Sequence, residues 1–171
     1  MLDKKVAELL NEQIAKELYS AYLYLDFAGY FLDEGLDGFA NWYRIQATEE
    51  RDHAMKIYDY LVENNIRPEL LAIAKPDKEL TSHGGVLAAG LEHEEYVTSL
   101  INNIYSAASE VKDYRTLRFL DWFITEQGEE EANASDLIRK HELFGSDPKG
   151  LYLLNQELGA RVYTAPAADA T

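Results

Sequence analysis

Four stretches of this chain, each about 28 residues long, keep apolar residues at three- and four-residue spacing, and none alternates as a strand would. The spacing predicts a first helix from Lys4 to Phe31 or slightly beyond, with Val6, Leu10, Ile14, Ala21 and Leu25 on its stripe. Gly35 and Gly38 flank a break, and Asp37 is placed to cap a second helix over Gly38–Asn65. Its stripe is Phe39, Trp42, Gln46, Glu50, His53, Ile57 and Tyr60. A third helix is predicted over Gly84–Val111, carrying Leu87, Glu94, Val97, Ile101 and Ile104. The fourth, capped by Asp113, ends near Phe144 with Gly145 just past it. "GSDPKGLYLLNQEL" reads as a short fifth helix with Pro148 in its first turn, and "VYTAPAADAT" as a frayed tail.

Helices this long bury their stripes only against one another. Short breaks make hairpins of the first pair and of the second pair. The segment Ile66–Ser82, which holds Pro68 and Pro76, can span about 56 Å when extended, more than the roughly 42 Å of the second helix. It can therefore run the length of the bundle and set the second and third helices parallel. The expected architecture is all-α: a four-helix bundle with one long crossover and a short fifth helix, forming one domain over residues 1–160 with a tail over 161–171.

The absence of cysteine removes disulfides and thiolate metal sites and fits a reducing cytosol. No run of about 18 apolar residues occurs, so a soluble, cytoplasmic chain without a membrane partner is expected. Acidic residues outnumber basic ones 31 to 16, which argues against a nucleic-acid partner and favours cations as clients.

Polar residues interrupt every stripe. Glu17 shares a face with Ile14, Ala21 and Tyr24, while Glu50 and His53 continue the line from Trp42 to Ile57. Glu94 lies between Leu87 and Val97, and Gln127 and Glu130 fall among Leu120, Phe123, Ala134 and Leu137. Side-by-side helices would bring them to roughly one level. Four buried carboxylates without a cation would be costly as ions and some would have to protonate. Two divalent cations would balance Glu17, Glu50, Glu94 and Glu130, with His53 and Gln127 as neutral ligands. Oxygen-rich donors with one imidazole suit Fe(II) or Mn(II) better than a closed zinc site.

The segments "KELYSAYLYLDFAGYF", "GFANWYRIQATEERDHAMKIYDYL", "EHEEYVT" and "FLDWFITEQGEEEANASDLI" resemble the prokaryotic non-haem ferritins over nearly the whole chain. The "EQGEEE" of the fourth helix is specific for that branch; a bacterioferritin would have Glu-x-x-His there, and a methionine haem ligand where this chain has Asp52. No haem is therefore expected; Met55 lies nearby at a different phase. The resemblance implies a ferritin-like fold and a hollow shell of twenty-four subunits (a 24-mer) that oxidises Fe(II) with O2 or H2O2 and stores ferric mineral. Carried over, one iron of a di-iron ferroxidase centre takes Glu17, Glu50 and His53. The other takes Glu50, Glu94 and Glu130, with Gln127 close and Glu50 bridging. A third, inner iron site maps onto Glu49, Glu126, Glu129 and Glu130. Tyr24 matches a tyrosine that supplies an electron or a hydrogen bond beside the centre. Without the resemblance, Glu49, Glu126 and Glu129 read as a solvated acidic face, and Tyr24 as a core aromatic.

His93, about 100° around the third helix from Glu94, is expected at the surface or behind the ligands. His83 and His141 read as solvated, Trp42 and Trp122 as packing, and Leu151, Tyr152, Leu154 and Leu158 as the apolar face of the fifth helix. Rival functions on the same bundle are a di-iron oxidase or peroxidase, a DNA-protecting mini-ferritin, and a metal-free interaction module.

Overall fold

A computed structural model describes residues 2–165, so the end of the predicted tail, 166–171, lies outside the described residues. The helices are α1 (Lys4–Asp33), α2 (Asp37–Glu63), α3 (His83–Glu110), α4 (Tyr114–Phe144) and α5 (Pro148–Gly159), with no strand among the described residues.

Local chemistry fixes the helix ends. The side chains of Asp3, Ser82, Asp113 and Asp147 each accept a hydrogen bond from the first turn of the helix that follows. The second helix differs from expectation. Asp37 is already helical and Leu36, which has no capping group, stands at the boundary. The free amides there are satisfied from a distance: Gly38 and Phe39 N–H donate to Asn155 Oδ1 of α5 at 2.8 and 3.2 Å. Three helices stop in the same way, with a left-handed residue just past the end: Gly35 (φ 73°), Asn65 (φ 61°) and Lys112 (φ 58°). The next amide then reaches back five residues, as in Leu36 N–H to Phe31 O, Ile66 N–H to Leu61 O and Asp113 N–H to Ala108 O.

Two apolar clusters occupy the ends of the bundle. One joins Val6 and Leu10 of α1 to Ile57 and Leu61 of α2, Ile101 and Ile104 of α3, and Leu120 and Phe123 of α4. The other joins Phe27 and Phe31 of α1 to Phe39 and Tyr43 of α2, Val86 and Leu87 of α3, Leu137 of α4, and Leu154 and Leu158 of α5. The start of α1 thus meets the ends of α2 and α3 and the start of α4. That arrangement makes α2 and α3 parallel and each hairpin antiparallel. Residues 64–82 form the crossover, tied to α1 by reciprocal bonds between Asn11 and the Glu69 backbone, at 2.9 and 2.7 Å.

Some expected burial is absent. Leu25 is 52% exposed, while Leu23, Tyr24, Phe27 and Ala28 are buried. A step of four residues advances a helix by 400°, so a line drawn by fours drifts about 40° per step and leaves the core after several turns. Tyr152 also faces outward; Leu154 and Leu158 carry the buried face of α5. Nor is the start of the tail frayed, because Arg161 and Tyr163 are bonded to α2 side chains.

Candidate metal centre

Between the two apolar clusters lies a polar level. Glu17 (α1), Glu50 and His53 (α2), Glu94 (α3), and Gln127 and Glu130 (α4) all reach it, and none is more than 4% exposed. Each sits one helical turn or so from apolar neighbours that anchor its phase, Ile14, Ala54, Ile57, Val97 and Phe123 among them.

Two sets of donors converge among the described residues. Ligand atoms of Glu17, Glu50 and His53 lie within 4.8 Å of one another, as do those of His53, Glu126 and Glu130. His53 belongs to both: Nδ1 faces Glu50 Oε2 at 3.6 Å and Nε2 faces Glu126 Oε1 at 3.8 Å, both too long for a hydrogen bond. Glu17 Oε2, Glu50 Oε1 and His53 Nδ1 are buried with no hydrogen-bond partner among the described residues. Glu17 is also close enough to Glu50 to bond if one of them is protonated, so those oxygens are orphaned only while both are ionised.

Other carboxylate oxygens of the level accept hydrogen bonds. Tyr24 Oη donates to Glu94 Oε1. Gln127 Nε2 donates to Glu94 Oε2 at 3.2 Å and to its backbone carbonyl at 3.3 Å. Gln46 Nε2 donates to Glu130 Oε2 at 2.7 Å, and Gln13 Nε2 to Glu17 Oε1 at 2.9 Å. Glu94 is thus held toward Tyr24 and Gln127, and Glu50, Glu94 and Glu130 do not form one set of convergent ligand atoms; Glu126 joins His53 and Glu130 instead.

Of the inner acidic residues, Glu49 is half-buried and paired with Arg161 at 2.8 Å, Glu126 is half-buried beside His53, and Glu129 is exposed. Asp52, at the position where a bacterioferritin has its methionine, bonds Arg51 and Tyr163.

The charges are strained. Burial, then the negative charges of Glu94, Glu17 and Glu130, pushes the Glu50 carboxyl well above the usual range. Burial pushes Glu94 up to about 7 against the opposing bonds from Tyr24 and Gln127. It pushes Glu130 up to about 8, helped by Glu94 and opposed by the Gln46 bond. Burial and the Glu94 charge also raise the Tyr24 phenol, which therefore stays protonated and donates. A cation relieves all of this at once, since it favours each ionised carboxylate and gives the orphaned atoms a partner.

Three inward groups were not assigned from the sequence. Gln13 could have been found, four residues before Glu17 on the same face. Gln46 was visible in its stripe but without a partner. Arg161 gave no signal, lying outside any periodic segment. His93 takes the second of its two expected placements, behind Tyr24 and Glu94: it is 6% exposed, lies 2.7 Å from Ser20 Oγ, and meets the ring of Tyr24 edge-on at 5.9 Å. Burial holds its imidazole down to about 4, so it is neutral. His83 and His141 are half-buried beside each other, and His83 Nε2 lies 3.1 Å from Glu34.

Fold and donor set are those of the carboxylate bundles that gather metal from all four helices. The chain belongs to the ferritin family: the family model for the ferritin-like domain matches residues 7–144. It is 40% identical to the bacterial non-heme ferritin of Campylobacter jejuni over 156 residues, 91% of this chain and 93% of the relative. It is also 40% identical to that of Staphylococcus saprophyticus over 163 residues, 95% of this chain and 98% of the relative. A ferritin from Archaeoglobus fulgidus engineered into a closed form superposes with a TM-score of 0.93 at 43% identity, covering 96% of this chain and 100% of that one. The open-pore ferritin of the same archaeon gives 0.91 at 43% identity, over 94% and 98%. No helix among the described residues is long and apolar enough to cross a membrane.

Proposed function

We propose that this protein stores iron, oxidising Fe(II) to Fe(III) at a paired site inside each subunit with O2 or H2O2 and depositing ferric mineral in a hollow cage of twenty-four copies. The observation that carries this reading is the trio of buried ligand atoms, Glu17 Oε2, Glu50 Oε1 and His53 Nδ1, which have no hydrogen-bond partner while both carboxylates are ionised, in a level where Glu94 and Glu130 each accept one. Unpartnered buried donors of this kind are poor structure and good ligands.

On this reading the first Fe(II) takes Glu17, Glu50 and His53. The second takes Glu130, with Glu126 on one side and Glu94 on the other, and Glu50 between the two. Glu94 and Glu130 hold protons near neutral pH and release them as the ions arrive. Each Fe(II) gives one electron to the shared oxidant, and carboxylate donors favour the ferric product. Tyr24 keeps Glu94 in place and is positioned to supply a further electron. The second position has only oxygen donors, with Glu130 where the Glu-x-x-His of a bacterioferritin would supply a histidine and neutral Gln127 where it would supply a glutamate, so it releases its ion more readily. The half-buried Glu126 and the exposed Glu129 then mark a path outward from the second position.

The test is anaerobic loading with Fe(II) followed by air, reading iron per subunit and particle mass. Retention of far more than three irons per subunit in one large particle supports storage. Uptake ending near two in a small oligomer moves the function to a di-iron oxidase, and no tight binding removes the site.

A further inference from the structure

The ordered start of the C-terminal tail ends in a charge that bears on the metal level. Just beyond α5, Asn41 Nδ2 donates to the backbone carbonyls of Leu158 and Arg161 at 3.2 and 3.0 Å, which pins the chain on α2. The guanidinium of Arg161 then lies over the Trp42 ring, 4.9 Å from its centroid. One arm, Nη1, donates to Gln46 Oε1 at 2.6 Å, and the other, Nη2, pairs with Glu49 Oε2 at 2.8 Å. Gln46 passes the contact inward, because its Nε2 donates to Glu130 Oε2 at 2.7 Å.

The amide of a glutamine is ambiguous by itself, with an acceptor and a donor of almost the same shape. Arg161 has donors only, so it accepts no orientation of Gln46 except Oε1 outward and Nε2 inward. The inward amine then fixes one oxygen of Glu130, whose carboxylate also offers an atom within 4.8 Å of His53 and Glu126. Without the guanidinium, the amide could turn its oxygen against the Glu130 carboxylate and push it away. The second arm acts differently. Glu49 faces a fixed positive charge, so a metal ion can use this carboxylate only by displacing Arg161.

We propose that Arg161 is a positioning residue that orients Glu130 through Gln46 for the second metal position and, by its pair with Glu49, keeps that carboxylate out of the ligand set. This rests on the metal site described under Proposed function and adds to it a determinant at the opposite end of the sequence. It also predicts that the third iron position implied by family resemblance lacks Glu49 while Arg161 is in place.

The experiment uses the full-length assembled protein, freed of iron, and Co(II) as a probe, followed anaerobically by calorimetry and by the visible absorption of bound Co(II). Wild type should take up two ions per subunit with separable affinities. In Arg161→Ala the tighter ion, on Glu17, Glu50 and His53, should stay within about twofold. The weaker one should lose roughly ten- to a hundredfold, the usual effect of removing a supporting hydrogen-bond partner, and an additional weak ion should appear on the released Glu49. Adding Arg161→Ala to Gln46→Ala should weaken the second ion no further than Gln46→Ala alone. Arg161→Lys, which keeps the charge and the reach, should suppress the additional ion and restore part of the affinity; it also serves if the alanine variant does not assemble. Equal losses for both ions, an unchanged second ion, or losses that add in the double variant would overturn the proposal. A wild type that binds no Co(II) would instead sink the metal site itself.

Discussion

Raising the pH of the metal-free protein should destabilise it through the neutral range. Glu130 titrates at about 8 in the folded chain instead of 4.5, and Glu94 at about 7. Both values are raised, so the folded state holds these protons after the unfolded chain has lost them. The sign follows: stability is intact below about 4.5 and is lost as pH climbs through 7 to 8, where the buried groups must ionise. Ionising Glu130 alone would disfavour the fold by about 5 kcal/mol, and Glu94 by about 3 kcal/mol. Because they feel one another's charge, about 5 kcal/mol is a fairer figure for the pair than the sum. For a chain of this size that is roughly 10–20 °C in melting temperature. The assay is thermal denaturation by circular dichroism from pH 5 to 9 after chelation, repeated with saturating Zn(II). With the cation present the slope should vanish or reverse, since binding requires the ionised carboxylates. A metal-free melting temperature that stays level across this range refutes the reasoning. So does an unchanged slope in the Glu94→Gln, Glu130→Gln double variant.

Further substitutions separate the parts of the site. Glu50→Ala should abolish tight Fe(II) uptake, weakening it beyond the roughly hundredfold that loss of a supporting partner produces; unaltered anaerobic stoichiometry would remove Glu50 from the ligands. Tyr24→Phe leaves Glu94 Oε1 without its donor and should lower metal-free stability by about 1.5–3 kcal/mol, measured by denaturant melts. Gly38→Ala would ordinarily favour a helix by about 1 kcal/mol. Here the new Cβ would lie 1.7 Å from the Asn155 carbonyl, so a net loss of at least about 2 kcal/mol is expected, and a stabilised variant would contradict the seating of α5.

The inward glutamates were legible because each interrupts an apolar stripe on its own helix, and a stripe is a property of one segment. Glu17, Glu50, His53, Glu94, Gln127 and Glu130 are all buried for that reason. What one segment cannot reveal is which atoms meet across the bundle. Glu94 turns toward Tyr24 and Gln127 because of hydrogen bonds formed between helices, and Glu126 comes near His53 across the packing of α2 against α4. The angle between His93 and Glu94 left two placements open, at the surface or behind the ligands, and the polar partner that Ser20 of α1 offers its ring goes with the second. Helix lengths were predictable to a residue or two; the capping of α2 was not, since its acceptor comes from a residue 117 positions away.

That remote cap has a consequence for how the chain matures. As it leaves the ribosome, α2 is synthesised long before α5, yet its first amides find their acceptor only once Asn155 has emerged. Until then the helix bearing Glu50 and His53 can fray at its start. The polar level is therefore completed only after α5 has been made, and a nascent subunit is expected to stay a poor trap for metal until then.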